Sequence, residues 1–488
     1  MTTATDRPPR QAVDVTRVMA QRDALDRVPG RHARRWGALP LTLTEDTLCV
    51  VLADGENDEA ISRLERLTGL SVFALPARNA GDVAAAIRRY YPDEASENAG
   101  TPLGLLEELV DRALQVRCSD IHVDPERDGG HVRMRIDGLM RVERPLDSDT
   151  LSELVSAIKV AAGLDIAEKR IPQDGQVSVY SQGEEITMRV ATAPTIRGEK
   201  VTLRILATAA IAAELADLDG LGMAARHREA LLLALDQPNG ILLLSGPTGS
   251  GKTTTLYAAL RYLKEPGTRH ILSIEDPVEI PLDGINQVHV DADRVSFAGA
   301  LRSALRHDPD VIMVGEIRDE ETADIAVKSA LTGHLVLSTV HANNAAAVVT
   351  RLLNLGVTPD LLTSALRLVM AQRLVRRPCV HCGAWTDADP ANLHALGWDG
   401  AGAPRVIAPV GCALCANTGY AGRIGLYELA PVTGAVRELI HAGAGEAALA
   451  RELFERQGWP SLARDGLAKA LEGLTTLEEV RRVALLGE

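Results

Sequence analysis

The sequence predicts a multidomain α/β protein, and three observations carry that expectation. An apolar run, Ile241–Leu244, ends in a glycine-rich loop and passes straight into helix-forming sequence. Downstream of it, strand-like runs alternate with helix-like ones, the order that yields a mostly parallel sheet. Upstream, two stretches with strand and helix periodicity of their own are set apart by polar or alanine-rich breaks. At 488 residues the chain has the length for roughly three domains, each with a core. Its 46% hydrophobic and 24% charged content are those of a globular protein.

Taken in order, residues 1–35 are rich in arginine, proline and polar side chains and read as a largely mobile start. Thr47–Ala53 and Ser71–Leu75 have strand character, and Asn57–Leu67 and Gly81–Tyr91 have helical periodicity. This gives a small α/β domain over 1–95 that offers no catalytic residue, closed by a linker at Pro92–Gly100. A second domain, 101–207, opens with helical sequence over Pro102–Val116. It continues through SDIHVDP (Ser119–Pro125), VRMRIDG (Val132–Gly138), EKRIPQDGQ (Glu168–Gln176), TMRVAT (Thr187–Thr192) and GEKVTLRIL (Gly198–Leu206). Ala207–Asp219 reads as a connection.

The third domain, 219–375, begins with the strand–loop–helix unit. The loop and helix start, Gly246, Pro247, Thr248, Gly249, Ser250, Gly251, Lys252, Thr253 and Thr254, form a P-loop in the context that the motif needs. The glycines let backbone N–H groups turn towards phosphate oxygens, and the helix dipole adds positive potential. Lys252 can reach the β- and γ-phosphates of ATP, and the Thr253 hydroxyl can ligate Mg²⁺. The strand HILSIEDPVE (His270–Glu279) follows the P-loop helix. Helical sequence at Ser296–His307 leads to the strand DPDVIMVGEIRD (Asp308–Asp319), and a helix at Glu320–Thr332 to the strand GHLVLSTVHANN (Gly333–Asn344). Strand C-termini carry the chemistry in such sheets, which singles out Glu275, Glu316 and His341. One acid can polarise the attacking water while the other positions Mg²⁺, directly or through water. His334 and His341 bracket one strand. Each reads as structural or as a γ-phosphate contact, with His341, beside Asn343 and Asn344, the better candidate.

Five arginines, Arg133, Arg135, Arg170, Arg189 and Arg204, lie in or beside the strands of the second domain. They read as charges on solvated strand faces or, for some, as arginine fingers for a bound γ-phosphate. Beyond Arg376, Cys379, Cys382, Cys412 and Cys415 stand as two C-x-x-C pairs around a Gly-, Ala- and Pro-rich loop. Such pairs suit a tetrahedral Zn²⁺ site of four thiolates. A redox pair and no function are the competing readings. Cys49 and Cys118 read as buried small apolar residues. The remainder, 431–488, reads as mainly helical.

Net charge of −14 and only 3% aromatics argue against a nucleic-acid partner, since neither a basic footprint nor stacking platforms are present. No apolar run approaches the ~18 residues that span a bilayer, and no apolar segment marks a signal peptide at the start. A cytoplasmic location is expected, with any membrane association made through partners.

Together these segments resemble the secretion ATPase superfamily, in the branch that drives type II secretion and type IV pilus assembly. SDIHVDP, EKRIPQDGQ, GPTGSGKTTTLY, IEDPVE, DPDVIMVGEIRD, LTGHLVLSTVHANN, AQRLVRRPC and TGYAGRIGLYEL stand in that family's order over roughly residues 100–430. The resemblance implies a homohexameric cytoplasmic ATPase with a PAS-like domain ahead of a RecA-like one, acting on an inner-membrane platform protein. It puts Glu275 forward as the water-activating residue, Glu316 as the acid of an atypical Walker B, and His341, with His334, as the His box. It matches Arg189 and Arg204 to two arginines that approach the γ-phosphate, and 376–430 to a tetra-cysteine zinc module. The His box reads HANN where the family often carries an acid at the position of Asn344. The N-terminal region is short and carries no clear RLG-type cyclic-di-GMP motif.

These features point to the assembly ATPase of a type II secretion system, with residues 1–95 docking on the cytoplasmic domain of an inner-membrane partner. A type IV or competence pilus extension ATPase shares every motif above. A nucleotide-gated scaffold with little turnover and a nucleic-acid translocase are the rivals from other classes.

Overall fold

A computed structural model describes residues 13, 15, 20–44, 46–53, 57–91, 100–181, 184–206, 217–290, 295–400, 402, 404–412, 415 and 417–484. The chain divides into two units, Met1–Thr208 and Ala209–Glu488. Residues 1–12, 14 and 16–19 of the arginine- and proline-rich start, most of the expected linker at Pro92–Gly100 and most of the connection at Ala207–Asp219 lie outside the described residues, while Arg22–Leu25 and Gly30–Trp36 of or beside that start are helical.

The first unit holds two sheets. β1 (Ala38–Leu43), β2 (Thr47–Leu52) and β3 (Ser71–Pro76) form a three-stranded sheet in that order, with β1 and β2 antiparallel and β2 and β3 parallel. The parallel step needs a crossover, and the helix Asp58–Thr68 supplies it. Asn57 starts that helix by accepting from the Ala60 N–H, and Gly69, at φ +70°, ends it. Leu48, Val50, Leu64 and Val83 close a core of its own beneath the sheet.

The second sheet comprises β4 (Cys118–Glu126), β5 (Gly129–Ile136), β6 (Leu139–Leu146), β7 (Gln173–Ser181), β8 (Glu184–Thr195) and β9 (Gly198–Ile205). Their order is β6-β5-β4-β9-β8-β7, antiparallel throughout. Along β5, Val132 and Met134 are buried while Arg133 and Arg135 are half-exposed, the alternation of a sheet with one covered face. The helices Pro102–Gln115 and Ser148–Ala161 cover it, with Leu109, Val110, Leu154 and Ile158 in the shared core.

The second unit is built on β10 (Gly240–Ser245), β11 (Ile271–Glu275), β12 (Asn286–His289), β13 (Val311–Val314), β14 (Leu335–Val340), β15 (Leu366–Pro378) and β18 (Tyr420–Pro431). They form a seven-stranded sheet in the order β12-β11-β13-β14-β10-β15-β18, parallel except for the last pair. Every residue of β10, β11, β13 and β14 is buried, as strands covered by helices on both faces must be. This is the α/β class that the sequence predicts.

β18 departs from expectation. The sequence reading ended the P-loop domain at 375 and gave 420–430 to the cysteine module. In the structure β18 pairs with β15 from Leu368↔Pro431 to Pro378↔Tyr420, inside the main sheet. Left alone, β15 would be a long apolar edge, which proteins cover. The cysteine segment is thus an insertion between two paired strands. It carries the hairpin of β16 (Ala384–Asp387) and β17 (Arg405–Ala408), with the helix Pro390–Ala395 between them. The helices from Gly434 to Ala484 pack into the same core as the main sheet, through Ile440, Leu449, Leu467 and Val480. Cys118 is buried, which pushes its thiol up to about 11, whereas Cys49 is only half-buried.

Candidate active site

The P-loop leaves the end of β10, in the middle of the sheet. Gly246 sits at φ +147°, where a Cβ would lie 2.5 Å from the Gln372 carbonyl and 2.6 Å from Ser250 Oγ. Gly251, at φ +86°, caps the helix Lys252–Lys264, and no side chain caps its first N–H groups. Those donors and a buried Ser250 Oγ without a hydrogen-bond partner are what an anion at this helix start can satisfy. The cradle therefore fits a nucleotide phosphate. Lys252 Nζ donates to the Gly246 and Pro247 carbonyls at 2.8 and 3.0 Å, folded onto its own loop. Burial pushes its pKa down, while the charge of Glu316 acts the other way.

The P-loop and the ends of the neighbouring strands enclose a cleft of about 410 Å³. Glu275, the last residue of β11, is only 4% exposed. Its carboxylate accepts from Tyr257 Oη (2.5 Å), Ser273 Oγ (2.5 Å) and Gln287 Nε2 (3.1 Å). Glu316 follows β13 after Gly315, where an added Cβ would come within 3.2 Å of the Ile274 carbonyl. Its partners are a guanidinium and an imidazole: Arg318 Nη2 at 2.5 Å, and His341 Nε2 at 3.5 Å from the other oxygen. The ion pair pushes the Arg318 pKa up. His341 directly follows β14 and lines the cleft. His334 directly precedes β14, roughly 20 Å away at strand rise. Its Nδ1 lies 3.0 Å from the Ser329 carbonyl, and it takes no part in the cleft lining.

In the first unit, Arg189 on β8 and Arg204 on β9 are register partners. Arg204 Nε donates to Asp120 Oδ1 at 2.8 Å, yet its side chain stays 64% exposed. Arg189 is exposed and makes no ion pair among the described residues. Arg135 lies 3.7 Å from Asp120 Oδ2, and Arg133 pairs with Glu126 at 3.1 Å. Arg170 pairs with Glu168 at 3.1 Å.

The four cysteines converge. Their Sγ atoms all lie within 4.8 Å of one another, with Cys379–Cys412 at 3.9 Å and Cys382–Cys415 at 3.8 Å. A disulfide needs about 2.05 Å, whereas a tetrahedron of thiolates about 2.3 Å from a metal has edges of about 3.8 Å. The cluster fits a metal ion. Backbone N–H groups of Cys412 and Gly419 donate to Cys415 Sγ and, against its desolvation, hold that thiol down at about 6.

Sequence reasoning missed Tyr257, Ser273, Gln287 and Arg318. Tyr257 belongs to the TTTLY run, and Arg318 to GEIRD. Tyr257 has no signal in local pattern, because it meets Glu275 only through tertiary approach, whereas Arg318 stands two residues after the acid it grips.

Residues 96–482 match the model of the family described as Type II/IV secretion system protein, and residues 9–97 match the MshEN domain. The type II secretion system protein E of Pseudomonas aeruginosa is 47% identical over 380 residues, which are 78% of this chain and 74% of that protein. The type IV pilus assembly ATPase PilB of Myxococcus xanthus is 39% identical over 493 residues, 94% of this chain and 86% of that protein. The crystal structure of the pilus retraction motor PilT with bound ADP has a TM-score of 0.53 at 26% identity, covering 78% of this chain and 96% of that one. With a family model that spans most of its length and a relative of nearly half its sequence, this chain belongs to the Type II/IV secretion system protein family.

Proposed function

We propose that the chain is the ATP-hydrolysing assembly motor of a type II secretion system. One observation carries this reading: a phosphate cradle and two strand-end acids meet in one cleft of a chain 47% identical to a type II secretion system protein E. Lys252 exchanges its loop carbonyls for the β- and γ-phosphates of ATP. Glu275 takes a proton from the attacking water, whose oxygen forms the new bond to the γ-phosphorus. The bond to the β,γ-bridging oxygen breaks, leaving ADP and phosphate. His341 contacts the γ-phosphate, and Arg189 and Arg204 neutralise the charge that develops there. Thr253 and Glu316 would hold Mg²⁺, which neutralises phosphate charge when bound.

In this reading the motor is a homohexamer on the cytoplasmic face of the inner membrane. Residues 1–95 dock on the cytoplasmic domain of a platform partner, 101–207 form the PAS-like domain, and the catalytic core runs from 219 to the pair of β15 and β18. Cys379, Cys382, Cys412 and Cys415, in the insertion between β15 and β18, hold zinc as a closed structural site. Residues 431–488 complete the helical end. Metal analysis should find one zinc per chain, lost in Cys412→Ser. Truncation of 1–95 should abolish membrane recruitment and spare nucleotide binding; unchanged recruitment would sink the docking role.

The coverage of PilB over 94% of this chain favours a second reading, pilus extension. Deletion in the native host separates the two. Lost secretion of enzymes with pili intact supports the type II reading, and lost pili with secretion intact replaces it.

A further inference from the structure

Glu275 and Glu316 share a cleft but are held by opposite means. Glu316 is gripped by a guanidinium and faces an imidazole. Glu275 is buried and, among the described residues, meets only neutral donors: Tyr257 on Oε2, Ser273 and Gln287 on Oε1. Burying a carboxylate is costly unless its lone pairs are satisfied. Of its roughly four acceptor sites three are taken, and the one left is on Oε2.

The donors come from three elements. Ser273 lies two residues back on β11, where its side chain shares a face with Glu275, and it is fully buried. Gln287 comes from β12, the parallel neighbour, and its amide also donates to the Ile280 carbonyl at 3.1 Å, which fixes it from behind. Tyr257 is 1% exposed and sits on the helix Lys252–Lys264, whose first turn carries Lys252 and Thr253. The element that cradles phosphate therefore also grips the carboxylate.

We infer that Tyr257, Ser273 and Gln287 are positioning residues that fix Glu275 in one orientation, with a single acceptor site on Oε2 left for the attacking water. This rests on Glu275 as the water-activating residue. Tyr257 is the most consequential of the three, because it alone meets Oε2. A displacement of the P-loop helix is transmitted to that oxygen directly.

The test is steady-state phosphate release by the full-length chain, with nucleotide affinity measured on the same preparations. Tyr257→Phe removes one hydroxyl and keeps the ring. It should lower kcat about tenfold, with KM and ATP affinity within about twofold of wild type. Gln287→Ala, at a half-exposed position, should lower kcat about threefold with the same unchanged KM, and keeps the test open if Tyr257→Phe does not fold. A loss of packing alone would lower the fraction of chains that bind nucleotide rather than kcat per bound site. Glu275→Gln is measured alongside. If it abolishes turnover while both clamp variants keep wild-type kcat, the positioning role is overturned. If Glu275→Gln itself turns over at the wild-type rate, the catalytic reading of Glu275 falls and takes this one with it.

Discussion

Among the described residues, each unit has a buried carboxylate gripped by arginine, Glu479 in one and Asp120 in the other, and the two differ in where the cations end. In the second unit Glu479, 1% exposed, accepts from Arg376 Nη2 at 2.8 Å and from Arg482 Nε and Nη2 at 2.8 and 2.7 Å. Arg376 is itself only 14% exposed and lies 3.8 Å over the Tyr420 ring. Burial pushes Glu479 up, but the two arginines overcome it and hold the carboxyl down at about 2. In the first unit Asp120 is also buried. Burial raises its pKa, yet Arg204 and Ser119 hold it below the usual carboxylate range. Its arginine, however, ends in solvent, with Arg189 across the ladder. Like charges directly opposite on paired strands destabilise a sheet. The Glu479 cluster pins the helix Leu477–Ala484 to β15. The Asp120 cluster leaves its cation largely in solvent.

The sharpest break of this comparison is Arg189→Ala. If the exposed arginines serve turnover, kcat falls by about a thousandfold, the magnitude typical of an arginine finger. The melting temperature should stay level or rise, since a repulsion is removed. Phosphate release and thermal melts on one preparation decide it. Wild-type turnover would return Arg189 to the solvated strand face. Arg204→Ala should lose as much activity and also melt lower, because it strands Asp120.

The buried cluster should answer in the opposite sense. Glu479→Gln should cost roughly 3 kcal/mol of stability, the worth of a carboxyl shifted from 4.5 to about 2. A depressed carboxyl stabilises above its unfolded pKa. Wild type should therefore lose this increment as pH falls from about 4.5 towards about 2, while the variant shows no such loss in that window. Urea titrations across that range measure it. An equal slope in both proteins would mean that Glu479 does not carry the cluster.

How much of this was legible follows from how far apart the cooperating residues lie. The P-loop is contiguous because one turn must present several N–H groups to one phosphate, so sequence alone places it. Glu275, Glu316 and His341 were legible as strand ends once the alternation of strands and helices was read. Tyr257 was not, because its meeting with Glu275 requires the P-loop helix to lie against β11. β18 was missed for the same reason. Its pairing with β15 spans the whole cysteine insertion, and antiparallel return over such a distance leaves no local mark. The cysteine cluster was legible because thiolates at C-x-x-C spacing have few uses. Whether an arginine on a half-exposed strand is paired or presented depends on a buried partner from another strand, and no periodicity reports that.

The smallest predicted effect tests whether Asp120 does more than stabilise. Asp120→Asn keeps the shape and removes the charge that holds Arg204. Arg204 then samples more rotamers, and kcat should fall about threefold to tenfold, well short of deleting the guanidinium. Nucleotide affinity should be unchanged, since Lys252 and the P-loop lie in the other unit. Asp120→Asn combined with Arg204→Ala should be no slower than Arg204→Ala alone, because a restraint on an absent group has nothing left to do. If Asp120→Asn instead melts lower at full kcat, Asp120 is a second Glu479. The exposed end of Arg204 then reaches its work unaided, and the difference between the two clusters is one of burial alone.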